Sequence, residues 1–460
     1  MGDNRPVPTE IRRFVRSLGL DAYVVGGAVR DELLGIPHSD EDFLVPGVDH
    51  AGLHAALEPH GHVEDMEVQG QLVGVRFYPA DRAIRRLVPS GIELTPPRIE
   101  RSTGPGHHDF EIVADGSASV EDDMRRRDFT VNAIARRLET GELVDPFGGV
   151  ADLRERVLRT VTPESFREDP LRILRGLRLV SQLGFALAPE TLAQMKAEAA
   201  GLRQVSGERV GGGVAVDGMG ELSKLLMGSR PAPALELARD TGALVEVVPE
   251  LAAAIGYAVP SARQPLPLDE HLFAVAQSAA DAGAPLPVRL AALLHDVAKP
   301  QTDGTGEPHA AAGAMATSRI MQRLRYPNAL RDTVVRLVAG HDFRLDAEVD
   351  GTVARRFLAA HGLEEARLLV QLKRADLAVK NVEAGEREAL ERLARAIEEE
   401  RESPHRLADL AVTGDDLISV GFREGPALGA ALARLLDDVL DDPTANDRDT
   451  LLSRARELAG

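Results

Sequence analysis

The hydrophobic pattern changes period several times in the first 150 residues. Residues 8–19 place apolar side chains at helical spacing. "AYVVGG" (22–27) is a continuous apolar run ending at two glycines, as a buried strand does. "AVRDELLG" returns to helical spacing, with Gly35 as its stop. "DFLV" (42–45) predicts a second strand, "GVDHAGLHAALEPHG" (47–61) a helix, and "LVGVRFYP" (72–79) and "IELTPPRIE" (92–100) further strands. From about residue 150 the helical period takes over, in "PLRILRGLRLVSQLGF", "PETLAQMKAEAAGL" and "PAPALELARDTGALVEVV". "VGGGVAVDGMG" (210–220) predicts a loop. The three prolines of "PSARQPLPLDE" (260–270) mark a boundary, with more helix from near His271. "AGEREALERLARAIEEER" (384–401) predicts a charged amphipathic helix.

This pattern predicts an α+β chain. A head with a small mixed sheet and helices (1–150) leads into an all-α neck and body (151–260). A helical domain (261–380) and an acidic helical C-terminal region (381–460) follow. At 460 residues with 44% hydrophobic content, the chain can bury several cores. No run of 18 apolar residues predicts a membrane span, and no secretory signal opens the chain. Cysteine is absent, which removes disulfides, thiolate metal sites and Cys nucleophiles and fits a reducing cytoplasm.

The net charge of −19 argues at first against a polyanionic partner. Its distribution changes that. Residues 381–460 hold 19 acids and 10 bases, about half the excess. Residues 121–180 hold 12 of each, every base an Arg, so phosphate can still be met locally. Of the 54 basic residues only 5 are Lys.

The chemistry concentrates in "VVGGAVRDELLGIPHSDEDFLV" (24–45). On a strand Asp40 and Asp42 share a face and Glu41 points away. Paired carboxylates repel unless cations neutralise them, and two divalent ions about 3.5–4 Å apart are the usual reason for such a pair in phosphoryl chemistry. A solvated turn before an edge strand explains this stretch alone equally well. Glu93 supplies a carboxylate from another strand. Gly26 and Gly27, between a strand and a helix, let backbone N–H groups approach an anion, with Arg30 in the first turn. A lone Gly-Gly more often marks a tight packing turn. Gly-Gly, Arg-Asp and Asp-x-Asp within 17 residues is a more specific series.

Together with "EDDMRRRDFTVNAIA" (121–135), "DPFGGVADL" (145–153) and "REDPLRILRGLRL" (167–179), this series resembles the class II tRNA nucleotidyltransferases, the CCA-adding enzymes, and more distantly the bacterial poly(A) polymerases. The resemblance spans about residues 20–345. It implies template-independent addition of C, C and A to tRNA 3′ ends from CTP and ATP. Asp40 and Asp42 would hold two Mg²⁺, with Glu93 helping, for attack of the 3′-hydroxyl on the α-phosphate. Gly26, Gly27 and Arg30 would hold the triphosphate, and Arg127, Asp128 and Asn132 phosphate and ribose. Glu168, Asp169, Arg172 and Arg175 belong to the nucleotide-binding series.

Asp169 and Arg172, three apart, are expected on one face of one helical turn. A carboxylate accepting from an exocyclic amine, beside an Arg donating to the ring nitrogen, suits cytosine and adenine alike. Uracil and guanine present the reverse pattern and leave buried groups unpaired, at about 1–3 kcal/mol each.

A second series is His271, His295-Asp296, His309, His341 and Asp376, four of the chain's 13 histidines in one order with two acids. It resembles the HD-domain phosphohydrolases. The match implies His271, His295, Asp296 and Asp376 as metal ligands, with His309 and His341 completing a two-metal site. Nitrogen and oxygen donors without thiolates suit Mn, Ni, Co, Fe or Mg. The implied activities are phosphatase and 2′,3′-cyclic phosphodiesterase on RNA ends. The alternatives are a partial CC- or A-adding enzyme, a poly(A) polymerase, or an HD hydrolase using the head as an RNA-binding module. The glycines at 210–220 interrupt a region where relatives continue a helix after residues like Glu208-Arg209-Val210.

Overall fold

The computed structural model describes residues 9–38, 41–68, 70–102, 110–113, 117–212, 218–344 and 349–459. The chain forms two compact units, Met1–Pro249 and Glu250–Gly460.

The first unit carries eleven strands among the described residues: β1 (Tyr23–Val25), β2 (Asp42–Leu44), β3 (Gly61–Val68), β4 (Gln71–Pro79), β5 (Ile92–Thr95), β6 (Ile99–Ser102), β7 (Phe110–Val113), β8 (Ala135–Arg137), β9 (Leu143–Val144), and the separate parallel pair β10 (Val157–Leu158) and β11 (Ala186–Leu187). Seven form a mixed sheet of order β3-β4-β5-β2-β1-β8-β9, and β6 with β7 makes a separate ribbon. "IELTPPRIE", expected as one stretch, is divided between β5 and β6 across Pro96-Pro97, since proline cannot donate to a ladder.

The centre of the sheet is dry. Val24, Leu44, Leu94 and Ala135 expose essentially nothing, while β3 at the edge exposes His62, Glu64 and Asp65. β1 runs antiparallel to β2, with Val25 opposite Asp42, and β2 runs parallel to β5, with Asp42 opposite Glu93. The remainder of the unit is largely helical. The helix Leu171–Leu183 buries Ile173, Leu174, Leu177 and Val180 and ends at Gly184 in the left-handed conformation.

The second unit is helical. The helix Gly351–Val379 is kinked at Gly362 and packs on Ala384–Glu399 through Leu358, Val370, Leu390, Leu393 and Ile397. A smaller core of Leu417, Leu435, Val439 and Leu451 joins the helices Gly414–Ser419, Pro426–Asp441 and Arg448–Ala459. The acidic surface of this region therefore lies over an ordinary apolar interior. Among the described residues no helix is long and apolar enough to cross a membrane.

Candidate functional site

In the first unit, β1 ends beside the start of β2. Gly26 follows directly, with φ +74°, and caps the helix Gly27–Leu34. The positive φ favours glycine, and a Cβ on Gly26, 2.5 Å from Arg127 Nη1, would push that guanidinium aside. Arg127 is held by Asp123 (3.1 Å) and by the Asn132 carbonyl oxygen (3.4 Å). Arg30 donates to Asn132 Oδ1 (2.8 Å), and Asn132 Nδ2 donates to Asp128 Oδ1 (2.9 Å). Arg175 donates to the other Asp128 oxygen (2.8 Å). Burial alone would raise the Asp128 carboxyl. The Arg175 charge and the hydrogen bond from Asn132 outweigh it and hold Asp128 well below the ordinary range. The expected residues Arg30, Arg127, Asp128, Asn132 and Arg175 thus form one connected network.

Asp42 is exposed at the head of β2, and Glu93 is half-buried beside it. In-register neighbours on adjacent strands share a face. Glu93 is also ion-paired with Arg76 on β4. Asp40 lies outside the described residues. Glu41 does point away from this row, and it is not idle. Its side chain is 2% exposed and ion-paired with Arg12 of the helix Thr9–Ser17, with His38 Nε2 at 3.2 Å.

One expectation needs correction. Asp169 and Arg172 do not share a helical turn. The short helix Ser165–Glu168 ends at Asp169, whose φ −140° and ψ 97° are extended, and the next helix starts at Leu171. The cause is Pro170, which disfavours helical geometry in the residue before it. Asp169 instead accepts from the Leu171 N–H (3.1 Å) and from Arg209 Nη2 (3.0 Å). Arg172 donates to the Arg126 carbonyl (2.7 Å) and to Ser165 Oγ (3.0 Å), with Glu168 at 3.4 Å. Of the glycine-rich segment, residues 213–217 lie outside the described residues; before it, Gly207–Val210 is a helix of one turn.

In the second unit, all six expected residues meet. His271 sits in the helix Leu268–Asp281 and His295 caps Leu286–Leu294. His309 opens His309–Arg323, His341 caps Asn328–Gly340, and Asp376 lies in Gly351–Val379. Asp296 is shared. Its Oδ2 faces His295 Nε2 (3.2 Å) and His271 Nε2 (3.8 Å), and its Oδ1 faces His309 and His341 Nε2 (both 3.3 Å). Asp376 Oδ1 lies 3.2 Å from His271 Nε2 and 3.7 Å from His295 Nε2. Two groups able to hold an ion result, His271/His295/Asp296 and Asp296/His309/His341.

The donor set fits divalent metal. Donors about 2.1 Å from an octahedral ion stand roughly 3 Å apart, close to these spacings. His271 Nε2, His295 Nε2, Asp296 Oδ1 and Asp376 Oδ1 are buried without hydrogen-bond partners although they face one another. They are aimed at common points rather than at each other. The other ring nitrogens of His295 and His341 meet the Ala292 and Val338 carbonyls (3.0 and 2.7 Å), which fixes the ring orientations. Burial opposes charge on His295, but Asp296 and Asp376 hold its pKa up to about 9. Burial pushes His271 and His341 down.

Two further lysines grip the carboxylates: Lys299 on Asp296 Oδ2 (2.6 Å) and Lys380 on Asp376 Oδ2 (2.7 Å). Lys299 follows Asp296 by three residues in "HDVAK", and Lys380 follows Asp376 by four. That spacing places Lys380 within reach of Asp376 at the end of the helix Gly351–Val379.

Comparison with known proteins finds family matches in both units. Residues 22–159 match the poly A polymerase head domain, 184–255 the probable RNA and SrmB-binding site of polymerase A, and 268–409 the HD domain. The multifunctional CCA protein of Xanthomonas campestris pv. campestris (strain B100) is 35% identical over 426 residues, covering 89% of this chain and 96% of that protein. The chain belongs to the multifunctional CCA protein family. Another member, from Pseudomonas aeruginosa PAO1, is 36% identical over 329 residues, 69% of this chain and 73% of its own. Among solved structures, the Bacillus stearothermophilus CCA-adding enzyme in complex with CTP shares the fold at TM-score 0.70 and 25% identity, covering 99% of this chain and 98% of that one. The Thermotoga maritima CCA-adding enzyme complexed with tRNA aligns at TM-score 0.57 and 20% identity over 97% of this chain and 94% of that one, a likeness of fold. This chain carries the poly A polymerase head domain and the HD domain together.

Proposed function

We propose that the chain completes tRNA 3′ ends by adding C, C and A from CTP and ATP without a nucleic-acid template, and that its HD centre hydrolyses phosphate esters at RNA ends, both in the cytoplasm. The division of labour is a head (1–150), a nucleotide-selecting neck and body (151–260), an HD domain (261–380) and an acidic helical region (381–460).

The observation that carries the first activity is the row of Asp42 and Glu93 beside the glycine-capped helix start. The Gly26 turn opens the helix Gly27–Leu34, whose first backbone N–H groups would meet a triphosphate, with Arg30 and Arg127 held by Asn132 and Asp123. Asp40 and Asp42 are the proposed holders of two Mg²⁺, with Glu93 supporting. When bound, such ions stabilise charge on the transferring phosphoryl group. The 3′-oxygen of the tRNA attacks the α-phosphorus, and pyrophosphate leaves. Asp169 and Arg172 select the base, one accepting from the amine and the other donating to the ring nitrogen. Glu168 and Arg175 support them.

At the second centre, His271, His295, Asp296 and Asp376 would hold one divalent ion and Asp296, His309 and His341 a second, of Mn, Ni, Co, Fe or Mg. Metal there supplies Lewis-acid stabilisation and lowers the pKa of water. Lys299 and Lys380 hold the carboxylates in place.

The test offers transcripts ending before the first C, after C and after CC, with each nucleotide triphosphate and Mg²⁺. Extension of all three to CCA is expected. Extension of one end alone would assign a partial enzyme, and no incorporation would refute the proposal.

A further inference from the structure

A cleft of about 850 Å³ opens beside Asp376 and is lined by Arg263, Arg344, Lys373 and Lys380 together with the acids Asp342, Glu383 and Glu386. Its cations are not equivalent. Arg263 is neutralised by Glu386 (2.6 Å) and Lys380 by Asp376 (2.7 Å). Lys373 is only 8% exposed, yet makes no ion pair among the described residues; its ammonium rests over the Phe343 ring, 5.2 Å from the centroid.

The charges of Asp376, Asp342 and Glu386 act on Lys373 through space, with none in ion-pair contact among the described residues. Burying an ammonium with no contacting partner is costly, so such groups are rare unless something completes them. The chain's use of lysine sharpens the point. Only 5 of 54 basic residues are Lys, and three of those five (Lys299, Lys373 and Lys380) stand at this centre or its cleft. Lys373 and Asp376 are three residues apart on one helix, and so share a face. An anion in the cleft would lie next to the metal-ligand set without being part of it.

We propose that the cleft is a second anion subsite of the HD centre, where Lys373 takes a phosphate other than the one hydrolysed. The favoured substrate is then a nucleotide or oligonucleotide end carrying at least two phosphates. This rests on the hydrolase reading of the HD centre. The exposed Arg344 at the rim adds a second positive charge.

The test compares adenosine 2′,3′-cyclic phosphate with the same nucleotide carrying a 5′-phosphate, using the full-length, metal-loaded protein. The wild type is expected to show a KM about tenfold lower for the doubly phosphorylated substrate, as one charge-assisted contact confers. Lys373→Met keeps the stem over Phe343 and removes the charge. It should erase that preference, leave kcat within about twofold and metal content unchanged, and be rescued by Lys373→Arg. Equal KM values for the two substrates in the wild type overturn the proposal, whatever the stability of the variant. So does an equal loss on both substrates in Lys373→Met. If the wild type hydrolyses neither nucleotide with any divalent ion, the hydrolase reading fails instead. Calorimetry with the doubly phosphorylated nucleotide then decides the subsite: binding weakened about tenfold by Lys373→Met upholds it, and unchanged binding overturns it.

Discussion

The Asp169 carboxylate and the Arg209 guanidinium are ion-paired, Oδ2 to Nη2 at 3.0 Å, across forty residues of chain. Arg209 therefore aims the carboxylate proposed to read the base. Asp169→Ala should lower the CTP-over-UTP ratio of kcat/KM by about 10–100-fold, the worth of one buried group left unpaired, and change triphosphate affinity less. Arg209→Gln should lower the same ratio by a smaller factor. Single-nucleotide incorporation on a transcript ending before the first C measures both, and an unchanged ratio in Asp169→Ala would remove that residue from base selection.

Asp40→Ala combined with Asp42→Ala should abolish nucleotide addition and leave divalent-dependent phosphatase activity intact. Assaying both activities on one preparation checks this. Loss of both in a folded protein would contradict two separate centres.

Asp296 faces both histidine groups, so its removal should empty both. Asp296→Asn is expected to reduce bound divalent metal to near zero by elemental analysis and to abolish HD activity, as should a chelator. CCA addition with added Mg²⁺ should continue. Retention of one ion per chain would show that the halves are independent.

Gly26→Ala imposes a side chain at φ +74° and 2.5 Å from Arg127 Nη1. Strain of this kind costs about 1–3 kcal/mol. A fall of a few degrees in melting temperature is expected, with a raised KM for both CTP and ATP as Arg127 is displaced. Unchanged KM values would separate Arg127 from triphosphate binding.

Asp128 is depressed in the folded state by Arg175 and Asn132, against its burial. The folded protein thus binds fewer protons there than the unfolded chain, and stability rises with pH through the window below the unfolded value of about 3.9. Asp128 contributes fully above that value, and its contribution falls as acid protonates it. The gap in urea unfolding free energy between wild type and Asp128→Asn should narrow by about 1 kcal/mol from pH 6 to pH 3. A constant gap would mean that Asp128 is not the titrating group.

The parts legible in sequence were those whose signal is local or rare. β1, β2 and β4 announce themselves as apolar runs because the centre of the sheet is dry. β3 was not foreseen: at the sheet edge it buries so little that "HVEDMEV" carries no apolar stripe. The HD residues stood out because histidine is scarce and the motif is ordered. The helix break at Asp169 was encoded in Pro170 but hidden by the helical look of "REDPLRIL". Pairings such as Asp169 with Arg209 or Glu41 with Arg12 depend on tertiary approach, which no spacing rule supplies.

The alternation at the head of β2 has a last consequence. Asp42 stands in register with Glu93 in the row proposed to hold metal, while its neighbour Glu41 is locked inward on Arg12 and His38. On the proposed function, adjacent acids answer to unrelated demands, one to chemistry and one to anchorage of the first helix. An interchange, Glu41→Asp with Asp42→Glu, conserves composition and charge but shortens the anchor by one methylene and lengthens the catalytic arm by another. Such a silent-looking swap should damage both roles, so this stretch tolerates far less drift than its formal chemistry suggests.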